Sequence, residues 1–159
     1  MLDQTRGYHI ESYAFIEWTS GSTGVPKGCR TKMKSLSNMA YWRWWEFPMT
    51  YGDDFTCAMN LFFVWYWYFP LMQGGTLVII PDQVQIDTHR LVDFFVRHRV
   101  TRWDCVSPTL LRTLLQACPQ KSLDRLNNLK IMHSGGELLE VDTCRMFHEK
   151  LPWMRLING

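Results

Sequence analysis

From residue 13 to residue 159, short apolar and β-branched segments take turns with longer stretches whose apolar residues recur every three or four positions. "YAFIEWT", "DDFTCAMN", "GTLVII", "VTRWDCV", "LKIMHSGG" and "MRLING" have the composition of strands, and most are bounded by Gly, Pro or Asn. Between them, "SLSNMAYWRWWEF" places Leu36, Ala40, Trp44 and Phe47 at helical spacing and stops at Pro48. "FFVWYWYFPLMQ" reads as a short buried helix with Pro70 near its end, and "DTHRLVDFFVRHR" as an amphipathic helix with Asp87 as N-cap. Ser107 and Pro108 open a helix whose Leu110, Leu111, Leu114, Leu115 and Cys118 make one apolar stripe, and "LLEVDTCRMFHEKL" is a further helix. Strands and helices in this rhythm predict an α/β fold of β-α-β units around a mainly parallel sheet. Such sheets bind ligands outside the carboxyl ends of their strands. The glycine-rich loops at 20–28 and 134–136 both follow strands and are expected at that edge.

A chain of 159 residues makes one ordinary domain. Its 17 Lys and Arg nearly balance its 15 Asp and Glu, so a net charge of +2 gives no general attraction to nucleic acid or anionic membrane and favours a small-molecule partner. Cys29, Cys57, Cys105, Cys118 and Cys144 are odd in number and contain no C-x-x-C pair, which argues against a disulfide framework or a zinc site and for a reducing compartment. The N-terminus lacks the apolar run of a signal peptide, and residues 61–72 are too short to span a bilayer, so a cytoplasmic location is expected. His9, His89, His98, His133 and His148 form no H-x-x-x-H pair, and no metal ligands are assigned. Asp53 and Asp54, directly after Gly52, read as a turn. Of eight tryptophans, Trp42, Trp44, Trp45, Trp65 and Trp67 lie close together. They are expected to pack helices onto the sheet, with an aromatic ligand site or a membrane-facing patch as alternatives.

The decamer "TSGSTGVPKG", residues 19–28, holds the chemistry. Gly21, Gly24 and Gly28 let backbone amides approach a ligand closely, and successive amides in such a turn form a nest for an anion. Thr19, Ser20, Ser22 and Thr23 add hydroxyl donors, and Lys27 adds a mobile positive charge. This set suits a polyphosphate. It is not a Walker A loop, because Pro26 stands where the second glycine belongs, nor a dinucleotide fingerprint, because Thr23 stands at the second glycine of that motif. It is not a nucleophile elbow either, its glycines being only three apart. Composition alone leaves a plain glycine/serine surface loop open as the alternative.

"YAFIEWTSGSTGVPKG" resembles the signature loop of the adenylate-forming (AMP-binding) superfamily, and the match covers the whole decamer. "FPLMQGGTLVIIPD", "VTRWDCVSPTLLRTLL", "LKIMHSGGELL" and "RLING" resemble later core segments of the family in family order, so the resemblance spans about residues 13–159. It implies part of the large N-terminal domain of an adenylate-forming enzyme, closest to the adenylation domains of nonribosomal peptide synthetases. The implied chemistry joins a carboxylate to ATP, releases pyrophosphate and passes the acyl group to a thiol, either a phosphopantetheine carrier domain or coenzyme A. On this resemblance Thr19, Ser20, Gly21, Ser22, Thr23, Gly24 and Lys27 hold the ATP phosphates, with Thr19 and Lys27 as catalytic residues. Gly135, Gly136 and Glu137 contact adenine, for which the alternative is a plain strand-to-helix turn.

The resemblance also assigns Leu61, Phe62 and Trp65 to one wall of the acyl pocket, with His133 and Gly135 opposite. Trp65 matches a tryptophan common in the amino-acid-activating branch, but Leu61 replaces the aspartate that usually binds the substrate ammonium. An apolar, aryl, hydroxy or non-α-amino acid therefore stands beside an ordinary amino acid as substrate. ATP arrives with Mg2+, whose binding motif in the family follows the position of Gly159, as do the ribose-binding aspartate and the C-terminal domain with its lysine. Residues 1–159 are accordingly expected to form a partial adenylation domain truncated at both ends, poorly soluble or self-associating and inactive alone. Two other readings are a nucleotide-binding or regulatory fragment that has lost catalysis, and a basic aromatic surface built from "CRTKMK" and "YWRWW" for nucleic acid or membrane. Helical burial of the aromatics counts against the second, and no nucleic-acid or membrane partner is expected.

Overall fold

A computed structural model describes residues 9–19, 24–47, 55–60 and 66–159. Its residues fall into two units, Met1–Met49 and Thr50–Gly159.

In the first unit, strand β1 (Tyr13–Thr19) is followed by β2 (Lys27–Lys32), which pairs back on it antiparallel, with Thr19 opposite Lys27 and Glu17 opposite Cys29. Helix α1 (Met33–Glu46) starts at the next residue. The sequence suggests a strand, a loop and then a helix. The structure inserts a strand between the loop and the helix, so the loop at 20–26 joins the two arms of a hairpin. The strand before the loop thus belongs to a two-stranded antiparallel sheet and not to the parallel one. "KGCRTK" lacks apolar alternation, and its pairing comes from ladder hydrogen bonds to β1 rather than from burial. Without a side-chain cap, α1 satisfies its first amides on the segment before β1: Met33 N donates to Ser12 O at 2.8 Å and Lys34 N to Ile10 O at 2.9 Å.

Helix α1 buries Leu36, Ala40 and Arg43, with Phe47 beyond its end, a stripe of i, i+4, i+7 and i+11. Trp44 is exposed, and so are Tyr41, Trp42 and Trp45. The expectation that these tryptophans pack a helix onto a sheet is therefore overturned. One narrow stripe suffices for a helix packed against a two-stranded hairpin, and a stripe through 36, 40, 43 and 47 turns 41, 42, 44 and 45 away from it. The argument that helical burial removes these aromatics from the surface falls with it.

The second unit is built on a five-stranded sheet in the order β4-β3-β5-β6-β7, every described pairing parallel. Its strands are β3 (Thr56–Met59), β4 (Thr76–Ile79), β5 (Arg102–Val106), β6 (Ile131–Ser134) and β7 (Arg155–Asn158). The helices are α2 (Tyr68–Met72), α3 (Asp82–Gln85), α4 (Thr88–Arg97), α5 (Pro108–Ala117), α6 (Gln120–Leu123) and α7 (Val141–Lys150). Short helices α3 and α6 and the 3-10 turn Asp124–Leu126 were not expected; the strands and α4, α5 and α7 follow the sequence reading, whereas of the helix read over 62–73 only Tyr68–Met72 is seen as helix and residues 62–65 lie outside the described residues. Asp87 caps α4 by accepting from the amides of His89 and Arg90, and Ser107 Oγ caps α5 by accepting from Leu110 N at 3.2 Å.

The core lies between the sheet and the apolar stripes of α4, α5 and α7. Trp103 packs edge-on against Phe95 at 4.9 Å between ring centroids, in one cluster with Leu91, Leu114, Met132 and Phe147. Among the described tryptophans, Trp103 is the buried one, with 2% of its surface exposed. The chain leaves β3 for β4 on one side of the sheet and β5 for β6 on the other. Connections that diverge from neighbouring strands open a crevice at the carboxyl ends, where α/β sheets take ligands.

Candidate functional site

The phosphate-loop residues divide between described and undescribed positions. The backbone of Thr19 ends β1 and pairs with Lys27, the first residue of β2. Lys27 is exposed, and Gly24 takes φ +77°, which an L side chain rarely adopts. Ser20, Gly21, Ser22 and Thr23 lie outside the described residues, as do Leu61, Phe62 and Trp65. The hairpin register nevertheless fixes one relation: Lys27 and Thr19 flank the turn as cross-strand partners.

The second glycine loop lies where the sequence places it, at the carboxyl end of β6. A cavity of about 220 Å³ opens there, lined by Tyr66, Cys105, His133, Ser134, Gly135, Gly136 and Gly159. The strands bring these residues together by register: Asp104 of β5 stands beside His133 of β6, and Ser134 beside Asn158 of β7. The backbone of Gly159 passes so close to Gly135 that a Cβ there would lie 2.7 Å from the Gly159 carbonyl oxygen. Gly135 is thus required for the close approach of two loops, whatever else it contacts. Glu137 accepts from Thr109 Oγ1 at 2.6 Å and from Thr109 N at 3.3 Å, which ties the loop after β6 to the first turn of α5. Its carboxylate anchors the loop.

Beneath the cavity is a buried polar group on the sheet face opposite Trp103. Arg102 and Asp104, two apart on β5, project to the same face, and Arg102 Nε donates to Asp104 Oδ1 at 2.7 Å. Cys57 of β3 donates from Sγ to Asp104 Oδ2 at 3.6 Å, and His133 Nδ1 lies 4.0 Å from Asp104 Oδ1. Removing one member of a buried charge pair costs several kcal/mol, about 3–5, because the other charge is stranded. The register between β5 and β6 shifts after Asp104, and Cys105 takes φ 62° there, a left-handed conformation at a non-glycine residue on the cavity wall.

Sequence reasoning places His133 and Gly135 at the site. It misses Tyr66, Cys105 and Gly159, and it misses Arg102 and Asp104 below. One signal was legible for the last pair: opposite charges two apart inside an otherwise apolar strand share a face and neutralise each other. Among the described residues no group of three or more His, Cys, Asp or Glu could hold a metal ion. No described helix is long and apolar enough to cross a membrane.

The AMP-binding enzyme family model matches residues 3–159. The chain is 35% identical over 147 residues to the beta-alanyl-bioamine nonribosomal peptide synthetase ebony of Drosophila melanogaster, covering 86% of this chain and 16% of that protein. It is 32% identical over 149 residues to the glycine betaine reductase ATRR of Emericella nidulans, covering 94% of this chain and 11% of that protein. The crystal structure of IdnL1 shares the fold with a TM-score of 0.79 at 18% identity, covering 96% of this chain and 30% of that one. The chain thus spans only 11 to 16% of the length of these curated relatives. A family match over almost the whole length, on a parallel sheet with its glycine loop at the carboxyl edge, makes this chain a member of the AMP-binding enzyme family.

Proposed function

We propose that the protein to which these residues belong activates a carboxylic or amino acid with ATP, forming an acyl-adenylate and releasing pyrophosphate, and passes the acyl group to a thiol. In this reading the turn between β1 and β2 holds the phosphates and the cavity after β6 holds part of the acid. The observation that carries it is the pairing of Lys27 with Thr19 across a turn of hydroxyl and glycine residues, in a chain of the AMP-binding family. Negative charge accumulates on the leaving pyrophosphate, and fixed amides, hydroxyls and one ammonium stabilise it there without a covalent nucleophile. The acceptor is a phosphopantetheine carrier if the peptide-synthetase relationship extends to partners, and coenzyme A otherwise.

Residues 1–159 contribute the phosphate turn and one side of the acid site, and alone they bind nucleotide without completing the reaction. Titration of the purified chain with ATP tests the first part. Lys27→Ala is expected to weaken ATP binding about ten- to hundredfold, the size of one hydrogen bond to a charged group. Equal affinity of the two proteins contradicts the assignment. Carboxylate-dependent exchange of pyrophosphate into ATP is expected to be absent, and its detection contradicts the second part.

A further inference from the structure

The outward face of α1 is divided by size along its length. Its first half presents Lys34, Ser35 and Asn38 and its second half Tyr41, Trp42 and Trp45, all exposed on the side away from the buried stripe of Leu36, Ala40 and Arg43. Lys34, Asn38, Tyr41 and Trp45 follow one another at i, i+4, i+7 and i+11, a second helical stripe opposite the first. Trp45 is 86% exposed, Tyr41 68% and Trp42 52%. The one carboxylate of the helix, Glu46, lies off this stripe, and among the described residues the Lys34 ammonium meets no acceptor. A lysine in the first turn also opposes the helix dipole, and α1 has no acidic residue there to offset it.

Small polar residues in one half and large aromatic ones in the other make the face complementary to itself reversed. Two copies laid antiparallel, with a two-fold axis between Asn38 and Tyr41, set Trp45 on the partner's Lys34 and Tyr41 beside the partner's Asn38, while Trp42 fits over the partner's Ser35. Lys34 then lies on an indole face and at the C-terminal end of the facing helix, where both the ring and the dipole favour a cation. A parallel pairing would instead set lysine against lysine. The three rings, about two-thirds exposed, offer about 400 Å² per copy, and with Lys34, Ser35 and Asn38 the pair reaches about 1,000 Å², the size at which specific interfaces begin. A membrane surface is the poorer fit, because one lysine among three rings is not the basic cluster that anionic headgroups attract. We infer that α1 is the interface of a homodimer, two copies pairing antiparallel through this face with Lys34 and Trp45 as reciprocal partners.

Sedimentation equilibrium of the 159-residue chain is expected to show monomer and dimer in exchange. Trp45→Lys removes an aromatic anchor and opposes two ammonium groups at each end of the interface, and it is expected to raise the dimer dissociation constant at least about thirtyfold. Exchanging the two residues in one chain, Lys34→Trp with Trp45→Lys, restores both contacts with roles reversed and is expected to recover about tenfold of that loss, the value of two cation–π contacts. Nonspecific stickiness of the aromatics does not produce such a rescue. Both positions are exposed, so the variants are expected to keep the parent's far-ultraviolet circular dichroism. A second measurement needs no variant: within one helix Lys34 and Trp45 are about 17 Å apart, so a nuclear Overhauser contact between them in a mixture of labelled and unlabelled chains arises only across the dimer. That contact is expected. A parent chain that stays monomeric, a dimer indifferent to Trp45→Lys, an exchange that recovers nothing, or a dimer without the Lys34–Trp45 contact overturns the inference. So does a monomer that binds anionic phospholipid vesicles through these residues.

Discussion

Gly135 is the residue whose side-chain hydrogen does most for the site. A methyl group there would lie 2.7 Å from the Gly159 oxygen, closer than a real Cβ contact allows. Gly135→Ala is expected to destabilise the second unit by about 1–3 kcal/mol, the usual range for overpacking, and urea unfolding measures it. An unchanged midpoint would mean that the two loops separate freely. Glu17 offers a different test, because burial raises its carboxyl above the ordinary carboxylate range. The folded chain then holds its proton at pH values where the unfolded chain has released it, so stability falls as pH rises through the window from the unfolded to the folded value. Unfolding measured between about pH 4 and 7 is expected to show a smaller loss of stability for Glu17→Gln than for the parent chain. The partner set of His133 was invisible to local pattern, since its neighbours come from β5 and β7 and only the sheet register brings them together.

At the scale of elements, helices α4 and α5 are specified at their starts by single side chains, Asp87 and Ser107. Replacing either by Ala is expected to cost about 1 kcal/mol, whereas Leu114→Ala in the buried stripe of α5 is expected to cost about 2–5 kcal/mol. Equal losses for cap and core would mean that α5 is held by its ends rather than its face. These caps, the stripe and the strands of the parallel sheet were legible in the sequence because each depends on residues a few positions apart. Strand β2 was not, because its six residues carry no burial pattern and depend on β1 for pairing. The orientation of α1 departs from the sequence reading: counting Trp44 into the stripe ignores that Arg43, only 3% exposed, occupies that turn. The left-handed bulge at Cys105 follows from the shift between β5 and β6, and nothing in "WDCVS" announces it.

At the scale of the molecule, each unit presents surface that favours association. Tyr41, Trp42 and Trp45 project from α1, and β4 and β7 bound the parallel sheet at its two edges. The chain is expected to self-associate in sedimentation experiments, and Trp45→Glu, at a side chain 86% exposed, is expected to shift it toward monomer. A parent chain that sediments as a single monomer at all concentrations contradicts this. The claim on which the functional account depends is that the glycine-rich turn at residues 19–28 holds the phosphates of ATP. Amide chemical-shift mapping with ATP tests it most directly. The account predicts that signals of residues 19–28 move along one saturable binding curve, and that Lys27→Ala weakens it. A spectrum in which residues 19–28 stay in place, or in which the shifts centre on the exposed face of α1, would contradict it.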